Sequence, residues 1–451
     1  MDDTIAAIST PLGEGGIGIV RLSGREALPI LRQLFRGVRG DGVLASRHLY
    51  YGHIVDPASG EAVDEVLVSY MRAPYTYTRQ DVVEINAHGG IVPLRRILEL
   101  TLRHGARLAS PGEFTVRAFL NGRLDLAQAE AVLDIVQAKT EAGLRVAVDQ
   151  LGGRLSQEVQ AVRAQLVDVL AYLEATIDFP EDEVPPQDIA PALGRARARI
   201  EGLLAHADQG IIYRQGIRAA IVGRPNVGKS TLLNALLRTE RAIVTPLPGT
   251  TRDTLEETMN LRGVPLVLVD TAGIAATEDL VERLGVERSR EALRRADLAL
   301  LVVDGSEPLT EADREIAGLV GQRSAILVIN KTDLPQALTS LDLLPDAPRV
   351  RISALTGEGL ETLEEAMVEA VFSGRVVASD EPLVSNPRHK VLLQRALEHV
   401  ASAQEAHGRG LPADFIAIDL TAAVNALGEI TGETVSGDLL EAIFSHFCVG
   451  K

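Results

Sequence analysis

The chain has 451 residues, 46% of them apolar, which suits about three domains with buried cores; its single cysteine excludes an intramolecular disulfide and a cysteine-rich zinc centre. Its 62 acidic against 45 basic residues give a net charge of −17, which argues against a protein held to nucleic acid mainly by phosphate attraction. No apolar run of about 20 residues is present and the start, MDDTIAAIST, is not a signal peptide, so a cytoplasmic chain without a membrane span is expected.

Residues 1–118 alternate strand-like and helix-like runs. Ile17–Leu22 and Val63–Val68 read as strands, and residues 91–103 as an amphipathic helix. Over 119–212 the pattern is helical, with Leu155, Val159, Val162, Leu166, Val169 and Leu173 at three- and four-residue steps. The acidic, proline-rich stretch 178–191 reads as a loop between helices. Within 213–375, four short apolar runs, at Ile217–Val222, Leu266–Val269, Leu298–Val303 and Ala325–Ile329, predict a mostly parallel sheet. Segments 388–407 and 413–447 read as helical again. The expected fold is multidomain α/β plus all-α. An N-terminal α/β domain (1–118) precedes a discontinuous helical domain (119–212 and 376–451), into which a doubly wound, Ras-like α/β domain (213–375) is inserted.

The run Gly223-Arg-Pro-Asn-Val-Gly-Lys-Ser230 is G-x-x-x-x-G-K-S between a predicted strand and a predicted helix, the context a P-loop requires. Backbone amides of Asn226, Val227 and Gly228, with the helix start through Thr231, would wrap the phosphates. Lys229 would reach the β- and γ-phosphates, and Ser230 would bind Mg²⁺. Asp270-Thr271-Ala272-Gly273 follows the next apolar strand and supplies an Asp for the Mg²⁺ shell and an amide for the γ-phosphate. Asn330-Lys331-Thr332-Asp333 follows another. The Asp333 carboxylate can accept from two guanine nitrogens, a donor pair that adenine lacks, and Ser353-Ala354-Leu355 completes the base pocket. In this order the segments resemble the guanine-nucleotide motifs of translation-factor-related GTPases.

Ile274 stands where Ras-like GTPases carry a water-positioning glutamine, so another group must orient water. The loop Thr245-Pro246-Leu247-Pro248-Gly249-Thr250-Thr251 is stiff and rich in oxygen. Thr251 is a candidate Mg²⁺ ligand. The loop carbonyls, with Asn226, could hold a monovalent cation where an arginine finger would otherwise place its charge.

The stretches GGIGIVRLSG, DVVEINAHGG, SPGEFTVRAFLNGRLDLAQAEA, PGTTRD, VERLGVERS and EITGETVSGDLLEAIFSHFCVGK resemble, along essentially the whole chain, the MnmE/TrmE family of tRNA wobble-uridine modification GTPases. The terminal Cys448-x-Gly-Lys is specific to that family. The resemblance implies a dimerising folate-binding N-terminal domain, with folate contacts on Arg21, Glu84, Arg123 and Lys451. Arg123 stands where the family usually has lysine. It implies K⁺ ligands at Asn226, Thr245, Leu247 (through its carbonyl) and Thr250, and a water-orienting catalytic glutamate at Glu282. It further implies 5-formyl- or 5,10-methylene-tetrahydrofolate and a homodimer. A heterotetramer with an FAD-binding MnmG/GidA-family protein, and tRNA as substrate, complete what it implies. Cys448 becomes a candidate for the chemistry.

The competing reading is a ribosome-assembly or signalling GTPase without modification chemistry. Against it, no KH-type module is present and the tail would have no use. Gly13-Glu-Gly-Gly-Ile-Gly18 is G-x-G-x-x-G but leads into a strand, so it reads as a turn. Five residues are lysine, against forty arginines. Lys229, Lys331 and Lys451 fall in motifs, whereas Lys139 and Lys390 have no role in the sequence reading.

Overall fold

The computed structural model describes residues 3–38, 43–179, 184–239, 257–269, 290, 293–321, 323–338, 342–372 and 384–450. In the N-terminal part, β1 (Ile5–Ile8), β2 (Gly15–Ser23), β3 (Phe35–Gly37), β4 (Leu49–Val55), β5 (Ala62–Met71), β6 (Val82–Gly89) and β7 (Arg107–Leu108) form one sheet in the order β3-β4-β5-β6-β2-β1-β7. Its pairs are antiparallel except β1 with β7. Helices Ala27–Leu34 and Ile91–Arg103 cover one face, burying Leu31, Leu34, Leu94 and Ile97 against Val20, Leu22, Val83 and Ile85.

The helical part has one core built from both flanks of the inserted domain. Leu155, Val159, Val162 and Leu166 from the helix Arg154–Asp178 pack with Leu393, Ala396 and Val400 from Pro387–Gly408 and with Leu420, Ala423 and Leu427 from Ala413–Thr431. The long loop predicted at 178–191 lies between helices that end at Asp178 and begin at Ala190. The expected continuous stretch 413–447 is two helices. The first closes with the Gly432 amide on the Gly428 carbonyl, and the second, Gly437–Phe444, starts behind a Ser436 cap.

The inserted domain carries β8 (Ile217–Val222), β9 (Glu257–Leu261), β10 (Val264–Val269), β11 (Leu298–Asp304), β12 (Ala325–Asn330) and β13 (Arg349–Arg351), in the order β13-β12-β11-β8-β10-β9. Only β9 with β10 is antiparallel. The strands run as continuous apolar stretches because helices cover both faces. After β8 the chain builds β10 on one side and β11 on the other. That reversal opens a crevice at the carboxyl ends of β8, β11 and β12, where ligands bind in such sheets.

Candidate nucleotide site and tail cleft

The P-loop follows β8 and leads into the helix Lys229–Thr239. Gly228 has a φ of 98°, and a Cβ there would lie 2.2 Å from Asn330 Nδ2, so only glycine allows the two loops this approach. Asn226 holds a left-handed φ of 65°. Lys229 Nζ donates to the carbonyls of Gly223 at 2.7 Å and Arg224 at 2.6 Å. Burial first, and then the Arg224 charge, pushes Lys229 down to about 8. Val227 is buried, Ser230 and Thr231 are exposed at the start of the helix, and Arg224 pairs with Glu307 and, at 3.4 Å, with Asp313.

The guanine loop is built from β12 and the turn after β13. Asn330 is buried and donates from Nδ2 to the Val227 carbonyl at 2.8 Å, while its Oδ1 accepts from the Ala354 amide at 2.9 Å. Ser353 Oγ donates to Asp333 Oδ1 at 2.6 Å and accepts from the Thr356 amide. Lys331 lies along Asp304 with Nζ 2.5 Å from Oδ2. Burial would raise the Asp304 carboxyl, but Lys331 and Ser306 outweigh it and lower its pKa. Leu355 is largely exposed. The arrangement leaves one oxygen of an exposed Asp333 and the whole P-loop around a single crevice, which suits a guanine nucleotide. The predicted residues Thr245, Pro246, Leu247, Pro248, Gly249, Thr250, Thr251, Asp270, Thr271, Ala272, Gly273, Glu282 and Lys451 lie outside the described residues.

A second site lies in the N-terminal domain. Arg21 on β2 and Glu84 on β6 face each other across a ladder pair, with Nε 2.9 Å and Nη2 2.8 Å from Glu84 Oε1. Both contacts fall on one oxygen, so Oε2 takes no part in the pair. With Met71, Tyr77, Val82 and Val132 they line a cleft of about 230 Å³. The Arg21 guanidinium lies over the Phe114 ring at 5.8 Å, and Arg123 over the Tyr77 ring at 4.7 Å. Burial pushes the Tyr77 phenol up, against Thr115, to which it is hydrogen-bonded, and the two arginines. The slot therefore has apolar and aromatic walls with one carboxylate, Glu84, among them.

The C-terminal tail closes on this cleft. The Arg21 Nη1 donates to the Gly450 carbonyl at 3.2 Å, Val449 bridges Pro111, and the Gly112 amide donates to the Cys448 carbonyl at 3.3 Å. Phe444 and Phe447 bury against Leu126 and Ala129, leaving Cys448 exposed. Sequence reasoning missed Tyr77 and Phe114 as partners of the two arginines, since nothing local marks an aromatic ring that meets a distant cation. It also missed Glu130 and Asp134, buried carboxylates four residues apart in the alanine-rich stretch LAQAEAVLDIVQ. Polar spacing inside an apolar helix was the available signal. The two lysines without a role have partners. Lys139 Nζ lies 3.4 Å from Thr258 Oγ1 of the inserted domain, and Lys390 lies 2.5 Å from Asp208. No described helix is long and apolar enough to cross a membrane.

Residues 4–123 match the family described as GTP-binding protein TrmE N-terminus, and residues 126–448 match the MnmE helical domain. The chain is 54% identical to the tRNA modification GTPase MnmE of Roseiflexus sp., over 100% of this chain and 99% of that one. It is equally 54% identical to the Chloroflexus aurantiacus protein of that name, with both chains covered in full. The relative from Geobacillus thermodenitrificans is 51% identical, over 100% of this chain and 99% of its own.

Proposed function

The chain belongs to the MnmE/TrmE family of tRNA modification GTPases, and from that membership we propose that GTP hydrolysis here drives modification of C5 of the wobble uridine in certain tRNAs. The product carries an aminomethyl or carboxymethylaminomethyl group. The GTP-hydrolysing, tRNA-modifying role is that of the family. The N-terminal cleft would hold the carrier of the one-carbon unit.

One observation carries it: the Arg21–Glu84 pair in the cleft also holds the tail, through the Gly450 carbonyl, two residues from the exposed Cys448. Arg21, Glu84, Arg123 and Lys451 would hold a tetrahydrofolate, which supplies a one-carbon unit when bound. Glu84 would accept from N–H groups of the pterin ring and Arg123 would face its glutamate end. Mg²⁺ would be held by Ser230 and Thr251, and K⁺ by Asn226, Thr245, Leu247 and Thr250, with Glu282 orienting water. The protein would act as a homodimer and join an FAD-binding MnmG/GidA-family partner. A chain of net charge −17 leaves much of the RNA-binding surface to that partner. A docked tail has no place in a ribosome-assembly or signalling GTPase.

Two measurements test this together. Calorimetry should show 5-formyltetrahydrofolate binding to the purified protein and at least about tenfold weaker binding to Arg21→Ala. Nucleoside mass spectrometry of tRNA from a deletion strain should show loss of the wobble modification, restored by the parent gene but not by Cys448→Ser. An unchanged modification profile in the deletion strain would refute the reading.

A further inference from the structure

The inserted domain joins the helical domain at two places, and both are tied to one helix, Leu126–Gln137. On the inbound side, Arg214 lies three residues before β8 and donates from Nε to Asp134 Oδ1 at 2.7 Å. On the outbound side, Asn386, Arg388 and His389 open the helix Pro387–Gly408. Arg388 reaches both oxygens of Glu130, with Nε at 3.0 Å and Nη2 at 2.6 Å. Asn386 Nδ2 adds a bond of 3.0 Å to Oε1, and His389 Nε2 lies 2.8 Å from Oε2. Glu130 and Asp134 are both buried and stand one helical turn apart.

The same helix touches the tail and the cleft. Leu126 and Ala129 pack with Phe444 and Phe447, immediately before Cys448. Val132 lines the cleft with Arg21, Tyr77 and Glu84. Twelve residues therefore span both connections of the inserted domain, the seat of the tail and a wall of the cleft.

Burial makes these links transmit movement instead of absorbing it. A buried carboxylate that loses its cation is left unpaired in a medium of low dielectric, a costly state. Among the described residues Arg214 is the one ion partner of Asp134, and Asp134 Oδ2 has no hydrogen-bond partner. The two-point contact of Arg388 on Glu130 has one good geometry, unlike an apolar contact that can slide. Breaking these pairs would leave buried charges without partners, so a displacement of either connection would be passed to the helix. The cleft wall at Val132 and the Phe447 seat at Leu126 and Ala129 belong to that one helix.

We propose that Glu130 and Asp134 are positioning residues that carry the nucleotide state of the inserted domain to the tail and its cleft, through the helix Leu126–Gln137. The functional meaning of this coupling rests on the cleft reading above, but the coupling itself is tested without folate.

The chain has one cysteine, and Cys448 is exposed, so an environment-sensitive thiol fluorophore labels the tail of the full-length protein at a single place. Exchanging GDP for a non-hydrolysable GTP analogue should shift the emission of this label. The double variant Asp134→Asn with Arg214→Gln removes both charges and keeps amide groups able to pair. It should reduce the shift at least about fivefold while GDP affinity stays within about twofold. Glu130→Gln, in which Arg214 and Asp134 are intact, should reduce it as well. Arg214→Lys alone, which keeps a cation opposite Asp134, should retain most of the response. A full shift in a folded double variant overturns the proposal, and so does a parent label that does not respond to nucleotide. If the double variant fails to bind GDP, the Glu130→Gln comparison decides, with a full shift there counting against the proposal. Folate calorimetry on the unlabelled parent is read separately, so a failed cleft reading is distinguished from failed coupling.

Discussion

Asn330 and Val227, 103 residues apart, are joined by a hydrogen bond of 2.8 Å from the Asn330 amide to the Val227 carbonyl. The other end of the same side chain holds the Ala354 amide at 2.9 Å. One buried side chain therefore locks the phosphate loop to both halves of the base pocket. Asn330→Ala leaves a buried carbonyl and a buried amide without this partner, at a cost of about 1–3 kcal/mol each. We expect a lower melting temperature and GDP binding weakened by at least about tenfold, read by calorimetry. Binding that is unchanged would show that the loops hold their positions independently.

Lys229 stands at about 8 where its Nζ rests among the P-loop carbonyls. Phosphate oxygens favour the charged lysine, so nucleotide raises that pKa. Between about 8 and the ordinary 10.5, protein without nucleotide has lost this proton and the complex retains it. Binding in that window takes up a proton, and GDP affinity falls by up to about tenfold per pH unit. Below the window the lysine is protonated in both states and the dependence disappears. Calorimetry in buffers of different ionisation enthalpy, at about pH 7 and about pH 9, reads the proton number. Equal uptake at both would contradict the assignment.

Glu130 is a carboxylate whose burial would raise its pKa, but His389 and then Arg388 outweigh burial and hold it at about 2 against 4.5. A depressed folded-state pKa contributes stability that is fully present above 4.5 and is lost as pH falls through about 2. The gap corresponds to about 3 kcal/mol. Glu130→Gln should therefore destabilise the helical domain by up to about 3 kcal/mol at neutral pH, and the difference should close on acidification. Urea unfolding followed by circular dichroism across that range provides the comparison. A difference that did not change with pH would assign the loss to packing instead of charge.

Gly450 has a φ of 99° and a Cβ there would sit 2.6 Å from the Ile8 carbonyl. Gly450→Ala should lift the tail from its seat and weaken the Arg21 contact to the Gly450 carbonyl. Exchange of the Gly112 amide, which donates to the Cys448 carbonyl, should accelerate by an order of magnitude or so, with the P-loop unaffected. Hydrogen exchange with mass spectrometry locates the change, and unaltered exchange at Gly112 would mean that the seat tolerates a side chain.

If Asn226 and the 245–250 loop hold a potassium ion, GTP hydrolysis runs faster in K⁺ than in Na⁺, because the larger ion suits a cage of carbonyl and amide oxygens. Asn226→Ala should then remove at least about tenfold of the K⁺ stimulation and leave the Na⁺ rate near its parent value. Equal rates in the two salts for the parent would eliminate the ion.

Much of this architecture is written locally. The apolar runs at Ile217–Val222 and Ala325–Ile329 are strands, and the three- and four-residue spacing from Leu155 to Leu173 is one helix face. Such patterns need only neighbouring residues, because backbone hydrogen bonding and side-chain direction repeat over two or 3.6 residues. The break at Gly432 has little local signal, because apolar residues flank it on both sides; the first helix packs into the helical core and the second, through Leu440, Ile443 and Phe444, beside Leu126 and Ala129.

Guanine-nucleotide binding is legible in the order of residues alone, since the P-loop and the N-K-T-D turn are contiguous motifs whose chemistry lies in their own backbone and side chains. The interruption of a helical domain by an α/β domain is legible there too. Folding is what brings Arg21 to Gly450 across 429 positions and Lys139 to Thr258 of the inserted domain, and what buries Glu130 and Asp134. In sequence those two carboxylates look like any solvated helix face. Their burial is tolerable because Arg214, Arg388 and His389 arrive from the two connections of the inserted domain. No local pattern encodes a counter-charge delivered by a chain returning from more than 250 residues away, as Arg388 does for Glu130.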